Sequence, residues 1–117
     1  MKLVRAIRSL FWSHYLRLRG AGVGRNFQVN GSIELLLRDG ASLRNLLIGN
    51  NVSLDGNTYI RIRKHGKIII GDGVRVGKEV WLVAANDCEL RVGEKAILGS
   101  YSIFNGGHGI KRFTWDA

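Results

Sequence analysis

This chain of 117 residues predicts a triangular β-solenoid preceded by a basic amphipathic helix, and three observations carry that prediction. The first is a repeat. "IGNNVSLDGNTYIRIRKHGKII" begins at Ile48, "IGDGVRVGKEVWLVAANDCELR" at Ile70 and "VGEKAILGSYSIFNGGHGIKRF" at Val92, each 22 residues after the last. The second is a shorter beat, in which an aliphatic or aromatic residue recurs at every sixth place. The third is the punctuation: 16 glycines and no proline, as in a structure whose corners need left-handed backbone or close backbone approach.

The copies superpose position by position. Gly49, Gly71 and Gly93 coincide, as do Val52, Val74 and Ala96, then Leu54, Val76 and Leu98, then Ile60, Leu82 and Phe104. A looser copy of 25 residues starts at Val23. Each group of six reads as a short strand and a corner with its apolar residue pointing inward, so three make one coil. Coils of this kind stack at about 4.8 Å, the backbone of one pairing with the next. An antiparallel sandwich would not require apolar residues to superpose at one fixed period in three consecutive copies. Eighteen residues make a bare coil, and the other four are expected to project at one edge, between offsets 14 and 20 of each copy. Aspartate, asparagine and glycine at the corners, as in Gly71-Asp72-Gly73, suit left-handed conformations.

Residues 1–20 form a separate element, and residues 21–117 form the solenoid of about four coils. The front segment "MKLVRAIRSLFWSHYLRLRG" reads as a helix stopped by Gly20. Leu3, Val4, Ile7, Leu10, Phe11, Tyr15 and Leu18 share one broad face on a helical wheel, with His14 among them and expected to be packed. Five basic residues and no acid give this segment +5 of the net charge of +9. Arginines interrupt the apolar stretch that a spanning helix or a signal peptide needs. Two readings remain for the face: it lies in the headgroup layer of an anionic membrane, through residues 1–19, or it packs on the solenoid or on a neighbouring subunit.

Several function classes fall away. One cysteine, Cys88, gives neither an internal disulfide nor a cysteine cluster for zinc, and suits a reducing compartment such as the cytoplasm. His65 and His108 stand 43 residues apart at unequal offsets in their copies, which disfavours a metal site. Gly20-Ala21-Gly22-Val23-Gly24 follows a helix and has Arg25 where a dinucleotide fingerprint needs glycine, and Gly77-Lys78-Glu79 lacks the hydroxyl residue of a P-loop. The basic excess lies on an amphipathic helix with no nucleic-acid-binding motif, so nucleic acid is not an expected partner. A second basic run, Arg61 to Lys67, belongs to the projecting edge and suits phosphates or solvent.

"IGDGVRVG", "VGEKAILG" and "FNGGHGI" resemble the hexapeptide-repeat acyltransferases, left-handed β-helix enzymes, across roughly residues 23–110. The likeness is strongest to the O-acetyltransferases that modify maltose, galactosides and bacterial surface polysaccharides. It implies a left-handed parallel β-helix, a homotrimer, acetyl-CoA bound between subunits as acyl donor, and a sugar or glycan acceptor. It also implies one histidine acting as base, which here is His108. The chemistry agrees, because a sugar hydroxyl must lose its proton as it attacks a thioester and imidazole can accept it near neutral pH. Gly106, Gly107 and Gly109 would leave backbone donors open toward an oxyanion. A solvated loop-tip histidine is the other reading.

His108 shares offset 16 with Asn86 and Lys64, so these three are expected along one edge. Asn86 and Asp87 are candidates for holding acceptor hydroxyls, with Asn105 and Tyr101 as further candidates; for Asn86 and Asp87 a plain corner-turn role is the other reading. Trp81 and Trp115 are candidates for an aromatic platform, or for packing. The relatives continue for several coils beyond the histidine, whereas this sequence ends nine residues after His108. A shortened form, a groove completed by partner subunits, or a non-catalytic assembly or membrane-attachment module are the expectations that follow. In each, the last coil's open edge is expected to aggregate, to oligomerise, or to be protected by Trp115 and its neighbours.

Overall fold

The computed structural model describes residues 2–106 and 110–113. The described residues open with helix α1 (Lys2–Leu18) and then wind through thirteen short strands. The first coil holds β1 (Gly22–Val23), β2 (Gln28–Val29) and β3 (Ile33–Arg38), the second β4 (Leu46–Ile48), β5 (Ser53–Leu54) and β6 (Thr58–Arg63). The third holds β7 (Lys67–Ile70), β8 (Arg75–Val76) and β9 (Val80–Ala84), the fourth β10 (Glu89–Val92), β11 (Ile97–Leu98) and β12 (Ile103–Gly106), and β13 (Ile110–Phe113) starts a further turn. Every strand pairs in parallel with its counterpart one coil away, which gives three flat sheets around one core. Sheet A is β1-β4-β7-β10-β13, sheet B is β2-β5-β8-β11 and sheet C is β3-β6-β9-β12. The architecture is a left-handed parallel β-helix with an N-terminal helix.

The beat of six is the inward face. Leu54, Val76 and Leu98 stack in register and are buried, and so are Ile60 and Leu82, with Phe104 partly buried above them. Burying a side chain of this size stabilises by about 1.5–3 kcal/mol, and one such layer recurs at every coil. The four residues beyond eighteen do less projecting than the sequence suggests. Ile62 and Ile68 are fully buried, so part of the surplus lengthens sheets C and A inward on either side of their common corner. Only the turn between them projects: Lys64 and His65 are exposed.

All variation in coil length falls at this same corner. Sheet partners are 25 residues apart between the first two coils (Gly22 with Leu47), 22 thereafter (Leu46 with Ile68) and 21 at the last step (Glu89 with Ile110). The first coil accommodates its surplus in a 3-10 turn, Leu43–Asn45, capped by the Ser42 hydroxyl and anchored by buried Leu43.

Helix α1 ends as Gly20 predicts. Gly20 takes φ +104°, the Gly20 amide donates to the Arg17 carbonyl and the Ala21 amide to that of Leu16, a paired C-terminal cap. The face that docks is not the apolar one that the packing reading assigned, and of that set Tyr15 alone is packed on the core. Buried Ser9 and Leu16 and half-buried Trp12 and Ser13 turn toward the first coil, while Leu3, Val4, Ile7, Leu10, Phe11 and Leu18 are exposed. His14, expected to be packed, is exposed as well, because it belongs to that outward face. The reason lies in the edge that the helix covers. The Ser9 hydroxyl accepts from the Val29 amide at 2.8 Å, and the Arg17 guanidinium donates to the Val23 and Gly24 carbonyls at 3.0 Å. The first coil's strands have no preceding coil to bond, and a small polar face supplies the partners that an apolar face would lack. Among the described residues no helix is long and apolar enough to cross a membrane.

Candidate functional site

The corner between sheets C and A is the candidate site, and its turns are built from left-handed residues. Asp39, Lys64, Asn86 and Asp87 all have φ between 54° and 62°. In the third coil the Cys88 amide donates to the Ala85 carbonyl at 3.0 Å, closing a tight turn with Asn86 and Asp87 at its two left-handed central positions. In the second coil the Gly66 amide closes on the Arg63 carbonyl in the same way. Gly66 is required there: a Cβ would come within 2.5 Å of the Ala84 carbonyl carbon in the next coil.

Lys64 and Asn86 therefore stand one coil apart on one edge, as the repeat predicts. Asn86 and Asp87 are exposed, and their side chains make no hydrogen bond or ion pair among the described residues. They are turn residues by backbone, with polar groups left to face solvent. Arg63 below them is engaged: it pairs with Asp39 at 2.6 Å, and that hydrogen bond holds the Asp39 carboxyl below its usual range. Lys64, exposed as well, makes no ion pair among the described residues.

His108, the candidate base, lies outside the described residues, as does Trp115. The flanking strands still bear on its expected alignment. Gly106 pairs with Ala84 and Ile110 with Glu89, so three residues, 107–109, stand opposite four, 85–88. The period is therefore one residue shorter by the start of β13, and the expected match of His108 with Asn86 lies outside the described residues. A beat of apolar residues cannot report such a loss, since the corner carries none.

The remaining candidates divide. Asn105 is exposed on the outer face of β12, in register with Val83, next to the strand end that leads into the corner. Tyr101 sits at the other end of that strand, between sheets B and C, with φ 63° and 77% exposure. At about 3.3 Å per residue, the run from Tyr101 to Gly106 separates it from the corner by roughly 16 Å. The fold does not bring Tyr101 to Asn86 and Asp87.

Trp81 is not a free platform. It stacks on Tyr59 of the preceding coil, ring centroids 4.7 Å apart and planes inclined by 14°. The Tyr59 hydroxyl donates to Glu79 Oε2 at 2.5 Å and Asn57 Nδ2 donates to Oε1 at 3.1 Å. That bond to a carboxylate, followed by desolvation and the charge of Glu79, raises the Tyr59 phenol above its ordinary value. This cluster was open to sequence reasoning, because Tyr59 and Trp81 are one 22-residue period apart.

No group of three histidine, cysteine, aspartate or glutamate side chains stands together as a metal site among the described residues. Comparison with protein families, with curated proteins and with solved structures returns no match.

Proposed function

We propose that this chain is an acetyl-CoA-dependent O-acetyltransferase acting on a hydroxyl of a sugar or glycan, in the synthesis of a bacterial surface polysaccharide. One observation supports the reading: among the described residues every change in coil length falls at the corner between sheets C and A, the corner that holds Asn86 and Asp87 and that Gly106 and Ile110 flank one coil later. Length variation on a rigid scaffold marks the edge that evolution can shape for binding, and this edge carries exposed polar groups in each of the first three coils.

In this reading His108 takes the proton of the acceptor hydroxyl as its oxygen attacks the thioester carbonyl carbon. Backbone amides among the glycines stabilise the oxyanion, the carbon–sulfur bond breaks, and the imidazolium returns the proton to the thiolate, giving an acetyl ester and free CoA. Asn86, Asp87 and Asn105 hold acceptor hydroxyls. Exposed Lys64 is a suitable partner for CoA phosphates. A projecting corner offers one wall rather than a cleft, so the reading includes a homotrimer whose neighbouring subunit supplies the second wall. The work belongs to the cytoplasm and to the inner face of its membrane.

The test is acceptor-dependent release of free thiol when the protein is incubated with acetyl-CoA and a panel of sugars and nucleotide sugars. Release that His108→Ala abolishes supports the reading. If no acceptor elicits release, or His108→Ala retains it, the reading fails, and a non-catalytic assembly or membrane-attachment module takes its place. The outward apolar face of α1 is the observation on that side.

A further inference from the structure

We propose that the outer face of α1 is a docking surface for an anionic lipid bilayer, on which the β-helix stands with its coil axis along the membrane normal. The face is defined by what the structure leaves outside. Leu3, Val4, Ile7, Leu10, Phe11 and Leu18 are between 50 and 73% exposed, and on a helical wheel they centre opposite Ser9, Trp12, Ser13 and Leu16, which dock on the first coil. An apolar face this continuous on an exposed helix marks an interaction surface.

Geometry makes the face accessible to a plane. Ser9 bonds the edge of β2 and Arg17 the edge of β1, so α1 lies across the end of the coil stack and its free side is the end of the molecule. Seventeen residues at 1.5 Å each give a helix about 26 Å long, enough to span that end. Docking requires no release of α1 from the solenoid.

Charge selects the occupant. Residues 1–33 contain six basic side chains and no acidic one, and no ion pair among the described residues involves α1. Arg8 lines a shallow groove on one flank of the helix with Asn30, Ser32 and Asn57, and Arg5 lines one on the other flank with Asn26 and Gln28, where Arg17 already bonds the Val23 and Gly24 carbonyls. Mainly apolar grooves with arginine at their rims, on both flanks of an apolar ridge, match acyl chains beneath headgroup phosphates. A second copy laid on this face would bring arginine against arginine.

The test is co-sedimentation of the full chain with vesicles of equal parts phosphatidylglycerol and phosphatidylcholine. Binding is expected there, at least about tenfold weaker on phosphatidylcholine alone and weakened by salt. The double variant Ile7→Glu/Leu10→Glu is expected to lose about tenfold or more of the binding, with circular dichroism unchanged because both positions are exposed. Arg5→Gln/Arg8→Gln, which leaves the apolar ridge intact, should weaken binding to anionic vesicles selectively. Absence of binding to anionic vesicles overturns the proposal, as does binding by both double variants that equals the parent's. An oligomer that Ile7→Glu/Leu10→Glu dissociates, without vesicle binding by the parent chain, assigns the face to a second copy and overturns it too. The inference does not rest on acetyl transfer: His108→Ala should bind vesicles normally, and the Ile7/Leu10 variant should act on a soluble acceptor as the parent does.

Discussion

Two corners of the same coil solve the same problem, turning one flat sheet into the next, in opposite ways. Between sheets A and B the turn has one length in every coil and, in the first three coils, spends its asparagine and aspartate side chains on neighbouring coils. Asn26, Asn51, Gly73 and Lys95 occupy its left-handed position in successive coils. The Asn50 Oδ1 accepts from the Arg25 amide at 2.8 Å and the Asp72 Oδ1 from the Asn50 amide at 2.7 Å, each side chain bonding the coil before it. Between sheets C and A the length differs at the first and last turns, and the side chains of Asn86 and Asp87 make no hydrogen bond or ion pair among the described residues. A corner whose side chains are spent on its neighbours sets coil spacing; a corner whose side chains face solvent has them to offer to a ligand.

The sharpest way to break this contrast is Gly49→Ala in the closed corner. An added Cβ would lie 2.8 Å from the Asp72 amide nitrogen, which is backbone and cannot swing away. The coils would have to part locally, and we expect a loss of about 3 kcal/mol, read as a lower midpoint in denaturant unfolding. Asp72→Ala removes a single rung instead, with an expected loss of about 1 kcal/mol by the same measurement. Equal stability of either variant and the parent would deny the closed corner its structural role.

A third corner, between sheets B and C, adds a pH handle. The neutral Tyr59 phenol is the form that donates to Glu79, and its value is raised, so the bond's stabilisation is complete below the ordinary tyrosine range near pH 10 and is lost as pH rises through the folded value. Ultraviolet titration should show a late phenolate step that Tyr59→Phe removes. The smallest effect is expected at the open corner. Asn86→Gly and Asp87→Gly keep the left-handed turn and should shift stability by less than about 0.5 kcal/mol, while lowering acceptor-dependent thiol release. A large loss of stability there would make the open corner as structural as the closed one.

Much of the fold was legible because its period is imposed by stacking. Residues such as Leu54, Val76 and Leu98 must repeat when identical backbones pair in register, so burial appears in the sequence as spacing. The corners were legible where asparagine, aspartate or glycine took the left-handed position. They were not where Lys64, Glu79, Lys95 or Tyr101 did so, because neighbouring strands impose φ > 0 on residues with no preference for it. The edge shared by Lys64 and Asn86 followed from the period, whereas the residue lost between β12 and β13 did not.

By itself the sequence determined the coil, its inward residues, the helix and the residue that ends it, since each depends on local periodicity or on a single glycine. Only the tertiary structure decided which side of α1 is inside. The first coil exposes unpaired backbone groups, and a helix face carrying Ser9 and able to present Arg17 satisfies them, whereas the more apolar face cannot. Backbone hydrogen bonding at the open end outweighed the gain from burying the more apolar side of the helix, and the apolar ridge was left facing outward.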